Sequence, residues 1–334
     1  LLSRVKTTPL DLPLALRAAE KILGNAKAFR SGEIPDVVNV DFWFNPSVKN
    51  ALGRLRRGII ESEMSPELRR FLLVALALTA ERCSLRDARI PVPVRRKDWR
   101  LVASNQRAAD VWRSFTAIAG VMADRLATIP SSAGIESVFD GEDAAKAGEI
   151  YKKDLADRLQ RPTLILTSPP YGAAQKYIRS SSLALGWAGL AKAADLAGLE
   201  RILIGREHFR LNELTALDTP NRSIGREISL LAARDKVRAA IYAHYFRSME
   251  VVVDNLVSLL APGGALVLVA GSNMVAGCEM KTHRHLKGLA VAHGMRPILE
   301  LRDAIRGRVL LTKRARPDIP LKSETVHILR KPRQ

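Results

Sequence analysis

Residues 163–172 read Thr-Leu-Ile-Leu-Thr-Ser-Pro-Pro-Tyr-Gly. A run of apolar and β-branched residues meets two adjacent prolines, which neither continue a helix nor sit inside a sheet ladder. The segment therefore predicts a strand over 163–166 that ends in a rigid turn. Helix-like sequence, "AAQKYIRSSSLALGWAGL" (173–190), follows it. Where strands alternate with helices, ligands bind at the carboxyl ends of the strands. The Thr167–Gly172 turn stands at such an end.

The chain fits that alternation from residue 135 onward. "IESVF" (135–139) predicts a short strand, followed by Asp140-Gly141-Glu142-Asp143 and a helix over 144–159. Helical sequence over 232–260 precedes a Pro262-Gly263-Gly264 turn and a buried strand over 263–272. A helix over 282–293 ends at Gly294, and 296–305 and 324–331 read as two closing strands. The implied class is α/β, with a parallel sheet and an antiparallel pair at its C-terminal edge.

The first 130 residues read differently. Residues 12–30 predict an amphipathic helix, and "VVNVDFWF" (37–44) is strand-like or extended. Asn45-Pro46 and Ser65-Pro66 are N-cap and first-turn proline signals, each opening a helix. Val48, Leu52, Leu55 and Ile59 follow the first at helical spacing. The second is apolar nearly all round from Phe71 to Leu78, which predicts burial. A further helix is expected over 104–127, with Val111, Phe115, Ile118, Met122 and Leu126 on its inner face.

Charge narrows the partners. Lys and Arg number 53 against 34 Asp and Glu, a net charge of +19. Such an excess favours a polyanion, above all nucleic acid, through phosphate contacts and counterion release. Aromatic residues make up 5% of the chain, which argues against a platform that stacks many single-stranded bases. Two candidate contact segments are Arg95-Arg96-Lys97-Asp98-Trp99-Arg100 and the stretch holding Arg206, His208 and Arg210. Cys83 and Cys278 are too few for a disulfide framework, which fits a reducing cytoplasm. Neither lies at zinc-ligand spacing from a second Cys or a His cluster, so no metal is expected. No apolar run approaches the roughly 18 residues of a membrane span.

Thr167-Ser168-Pro169-Pro170-Tyr171, with the strand before it and the helix after it, resembles the catalytic motif of the DNA amino-methyltransferases. These transfer a methyl group from S-adenosyl-L-methionine to the exocyclic amine of cytosine or adenine. The resemblance covers about residues 130–331 in layout and is sharp at 163–177. It implies a Rossmann-like methyltransferase sheet with a mostly helical insertion. Residues 1–44 would be the N-terminal part of that fold, 45–130 a basic insertion suited to target recognition, and 131–334 the catalytic core. It implies catalytic roles for Ser168, Pro169, Pro170 and Tyr171. The hydroxyl and the Pro169 carbonyl would hold the amine, and Tyr171 would stack on a base taken out of the helix. Thr167, Asp143 and Asp140 would contact the cofactor. Ser at 168 resembles the cytosine-N4 group more than the adenine-N6 group. Arg95, Arg96, Lys97, Arg206 and His208 would contact DNA. Asn273, at the end of the 263–272 strand, reads as a turn residue or part of the pocket wall.

The family binds the methionine part of its cofactor with a Phe-x-Gly-x-Gly loop, and no Gly-x-Gly occurs among these 334 residues. The expectation is that this loop lies on a preceding segment or on a second polypeptide. Alternatives are an adenine-N6 DNA or RNA amino-methyltransferase, a non-catalytic DNA-binding subunit of a split enzyme, or a helical nucleic-acid-binding protein with an unrelated α/β domain.

Overall fold

A computed structural model describes residues 1–129, 143–151, 160–172, 176–206, 208–209, 217–305 and 323–333. The expected strand over 135–139 and Asp140 lie outside these, as do 152–159 of the expected 144–159 helix and Arg210. The elements begin with α1 (Leu2–Thr7), α2 (Leu12–Ala28), α3 (Val40–Trp43), α4 (Pro46–Glu61) and α5 (Pro66–Cys83). They continue with α6 (Trp99–Asn105), α7 (Ala108–Ala127), α8 (Ala147–Ile150), β1 (Leu164–Thr167), α9 (Tyr177–Trp187) and α10 (Leu196–Arg201). The remainder are α11 (Arg222–Ala232), α12 (Lys236–Leu259), β2 (Ala265–Gly271), β3 (Asn273–Val275), β4 (Cys278–Met280), α13 (Thr282–Ala292), β5 (Arg296–Ala304) and β6 (Ser323–Arg330). Two compact units result: Leu1–Phe139 with Tyr177–Glu200, and Asp140–Lys176 with Arg201–Gln334.

The first unit is helical. Asp11, Asn45 and Ser65 cap α2, α4 and α5 by accepting the amide N–H of Leu14, Val48 and Leu68 at 2.8, 2.8 and 3.3 Å. Each helix has proline in its first two positions, where a missing N–H costs nothing. Leu52, Leu55, Ile59, Phe71, Leu72, Val111 and Phe115 form the core. Trp187 of α9 joins it, edge-on to Phe44 at 5.6 Å. Residues 1–44 thus share a core with the helices of 46–127.

Two local expectations fail here. Residues 37–44 form no strand but end in the helical turn α3, entered through Asn39 at φ 51. Trp43 and Phe44 turn into the helical core, and that burial overrides their strand preference. The expected 104–127 helix breaks at Gln106 and Arg107, both extended. The Gln106 amide donates to the Cys83 carbonyl at 3.2 Å, and Asp110 accepts the Arg107 N–H at 2.8 Å to start α7 afresh.

The second unit is built on a mixed sheet of order β1-β2-β6-β5. β1 and β2 are parallel, while β2–β6 and β6–β5 are antiparallel, as expected for the C-terminal edge. β3 and β4 form a separate hairpin. Leu266, Leu268 and Ala270 of β2 and Thr325, His327 and Leu329 of β6 point to one face and are buried. Helices α12 and α13 supply Phe246, Met249, Val253, Leu286 and Leu289 to the same core.

The opposite face is apolar and open. Leu164 and Leu166 of β1 are 58% and 71% exposed, and Leu299 and Leu301 of β5 are also exposed. By register they share that face with Val267, Val269, Val326 and Ile328. Among the described strands β1 pairs only with β2. No helix of the described residues is long and apolar enough to cross a membrane.

Candidate functional site

The double-proline turn leaves β1 at its carboxyl end, where Thr167 pairs with Leu268. β6 runs antiparallel, so its first residues arrive at the same end, with Glu324 opposite Gly271. From there the Glu324 carboxylate accepts the Tyr171 hydroxyl at 2.7 Å. Tyr171 is half-buried with one end of its ring pinned. Ser168 is exposed and makes no side-chain hydrogen bond to a described residue. Pro169 is buried, and its carbonyl accepts no hydrogen bond from a described residue.

Helix α12 packs beneath the turn. The Tyr245 hydroxyl donates to the Pro170 carbonyl at 2.8 Å, and the Tyr242 hydroxyl to the Gly172 carbonyl at 2.7 Å. The Asn273 amide donates to the Tyr242 hydroxyl at 2.6 Å. Both tyrosines are buried, three residues apart on one helix face, with the Phe246 ring 5.1 Å from Tyr245. A Cβ on Gly172 would lie 2.8 Å from the Tyr242 ring, so the turn and helix meet only because this residue is glycine. Gly205, at φ 80, is equally constrained: a Cβ there would meet the Tyr171 carbonyl oxygen at 2.7 Å.

The residue after it, Arg206, is buried with its guanidinium 3.8 Å from the Phe209 ring centre. His208 is exposed. The sequence candidates Thr167 to Tyr171 and the segment of Arg206 and His208 are therefore brought to one end of the sheet. Asp143 is not. It is exposed and caps its own short turn, accepting the Ala145 N–H at 3.0 Å. The Ala145 carbonyl accepts the Asn255 amide at 2.8 Å. Asn255 lies ten residues along α12 from Tyr245, roughly 15 Å at 1.5 Å per residue.

In the helical unit, the Arg95 guanidinium lies between the rings of Phe42 and Trp99, at 4.3 and 3.4 Å. Burial lowers its pKa from the ordinary arginine value. Arg96 is held by both oxygens of Asp98 at 2.6 and 2.9 Å, which raises its pKa. Lys97 is exposed.

Sequence reasoning missed Tyr242, Tyr245 and Glu324. One signal was available: the chain has five tyrosines in 334 residues, and Tyr171, Tyr242 and Tyr245 meet here. Among the described residues no cluster of three or more His, Cys, Asp and Glu could hold a metal ion. A cavity of about 210 Å³ lies along β5 and β6, lined by Lys287, Glu300 and His327 among others.

The second unit is thus a mixed α/β sheet with a clamped double-proline turn at a strand's carboxyl end. No family model matches the sequence, and comparison with curated proteins gives no match. Among solved structures, the chain is similar to a protein from Thermus thermophilus described as a DNA modification methylase. One structure shares 19% identity over 30% of this chain and 42% of the other, with TM-score 0.24. Its selenomethionine form gives 21%, 28%, 39% and 0.21. Its complex with S-adenosyl-L-methionine gives 21%, 28%, 39% and 0.22. The chain therefore spans about two fifths of the length of those structures.

Proposed function

We propose that this chain holds the target base of a DNA amino-methyltransferase that uses S-adenosyl-L-methionine, with the exocyclic N4 of cytosine as the preferred target. The observation that carries the reading is the turn after β1. It gathers an exposed Ser168 hydroxyl, a Pro169 carbonyl without a described partner and a Tyr171 ring pinned by Glu324.

The chemistry asks for these groups. An exocyclic amine conjugated with its ring is a weak nucleophile. Two acceptors that take its hydrogens bias the nitrogen toward a pyramidal form and free its lone pair. Ser168 and the Pro169 carbonyl supply acceptors of that kind. The two prolines set their backbone angles before any substrate arrives, so the geometry is prepaid. Tyr171 offers an aromatic face for a base extruded from the duplex. Lys97, His208 and Arg206 are proposed phosphate or base contacts. Arg95 and Arg96 keep their charge for the same purpose while their side chains are held by the aromatic pair and by Asp98.

The described residues do not fit the methyl donor as they fit the base. There is no Gly-x-Gly, and Asp143 is spent on its own cap, well along α12 from the turn. We assign the donor loop to a further segment or a second polypeptide. The open face around Leu164 and Leu166, and the edge of β1 that no described strand pairs with, are where added strands and helices would join.

The test has two arms. Calorimetry of S-adenosyl-L-methionine with this chain alone should show no tight binding; tight binding would remove the divided-site reading. In enzyme complete with its donor-binding part, Ser168→Ala should lower methyl transfer to duplex DNA roughly a hundredfold or more while DNA affinity holds. Full activity of that variant would sink the assignment.

A further inference from the structure

The Ser168–Gly172 turn lacks the usual means of holding its shape. Pro169 and Pro170 carry no N–H. Outside the β1 ladder, no backbone–backbone hydrogen bond joins 168–172 to another described residue. Side chains from elsewhere hold it instead, and they are selective about which carbonyls they take. Tyr245 takes that of Pro170 and Tyr242 that of Gly172, while Pro169's, next in the chain to the exposed Ser168, accepts from no described residue.

We infer that Tyr242 and Tyr245 are positioning residues that aim the Pro169 carbonyl, an inference that rests on the methyl-transfer reading of this turn. The geometry leaves the carbonyl little freedom. Its ring fixes φ at Pro169, and preceding another proline confines ψ to the extended region. The second ring fixes φ at Pro170, and the Tyr245 hydroxyl restrains the rotation of the Pro170 carbonyl. Tyr242 then anchors the exit at Gly172 and is itself fixed by Asn273 at the start of β3. Both rings are buried in the core beneath the turn, so the hydroxyls reach it from a fixed base. The clamp therefore ties the turn to the middle of a 24-residue helix.

Tyrosine-to-phenylalanine changes remove the hydroxyls and keep the rings in the core. Hydrogen exchange of a peptide spanning 164–172 should quicken at least tenfold in Tyr242→Phe/Tyr245→Phe, while peptides from β6 keep their rates. In complete enzyme, kcat should fall roughly tenfold per hydroxyl with KM for DNA unchanged. Should the double variant fold poorly, Tyr245→Phe alone carries the same prediction, because its bond is to Pro170. Unchanged exchange overturns the clamp. Quickened exchange with unchanged kcat overturns the aiming role. If wild-type complete enzyme transfers no methyl group, the functional reading fails and with it the aiming role, while the exchange rates still report on the clamp itself.

Discussion

Burial holds the imidazoles of His283 and His327 below the usual histidine pKa. The two rings stack at 5.7 Å and 8°. Ser272 bonds His283 Nδ1 at 2.7 Å, and Glu300 lies 3.3 Å from His327 Nδ1. Glu300 partly offsets burial at both rings, while nearby Lys287 adds to it, as Arg284 does for His283. The sign follows. Above the ordinary imidazole pKa of about 6.5 both rings are neutral whether folded or unfolded. As pH falls through that value the unfolded chain binds protons first, so stability drops with acid until the folded rings titrate too. Melting temperature should fall between pH 7.5 and 5.5, and His327→Gln should flatten that slope whatever it does to stability at pH 7.5. An equal slope in the variant would exclude His327. At this scale the sequence revealed Ser168 to Tyr171, because two prolines after a strand are a local signal. It concealed Tyr242, Tyr245 and Glu324, because their meaning depends on chain 70 to 153 residues away.

The helix starts were legible for the same reason. Asn45 and Ser65 act within three residues of themselves, and both cap as their sequence announces. Asn45 does more: its amide donates to the carbonyls of Ala103 at 2.8 Å and Gln106 at 3.2 Å. Asn45→Ala should therefore cost about 1–2 kcal/mol, and Ser65→Ala, whose bond is 3.3 Å long, less than about 1 kcal/mol. Denaturant titration of each variant would check the order, and a larger loss at Ser65 would contradict it. Residues 37–44 and the break at 106–107 were illegible. Strand preference reports how a side chain fits a half-buried surface, and Trp43 and Phe44 found a helical core instead. Nothing local marks Gln106 as the end of a helix, since its side chain is recruited by Cys83 from another helix.

On the scale of the whole molecule, two features pull against each other. A net charge of +19 keeps copies apart through mutual repulsion. The open sheet face around Leu164 and Leu166 invites them together, because exposed apolar strand surface is a template for other chains. Salt decides between them, since it screens the repulsion and leaves the apolar attraction intact. The isolated chain should stay clear in dilute buffer and scatter light increasingly as ionic strength rises. Leu164→Lys combined with Leu166→Glu should suppress that turbidity with little shift in melting temperature, as both side chains already face water. Turbidity that ignores these changes would place the sticky surface elsewhere. The leucines of β1 thus set a storage condition: a preparation concentrated at physiological salt would be lost to precipitation first through the strand that leads into the double-proline turn.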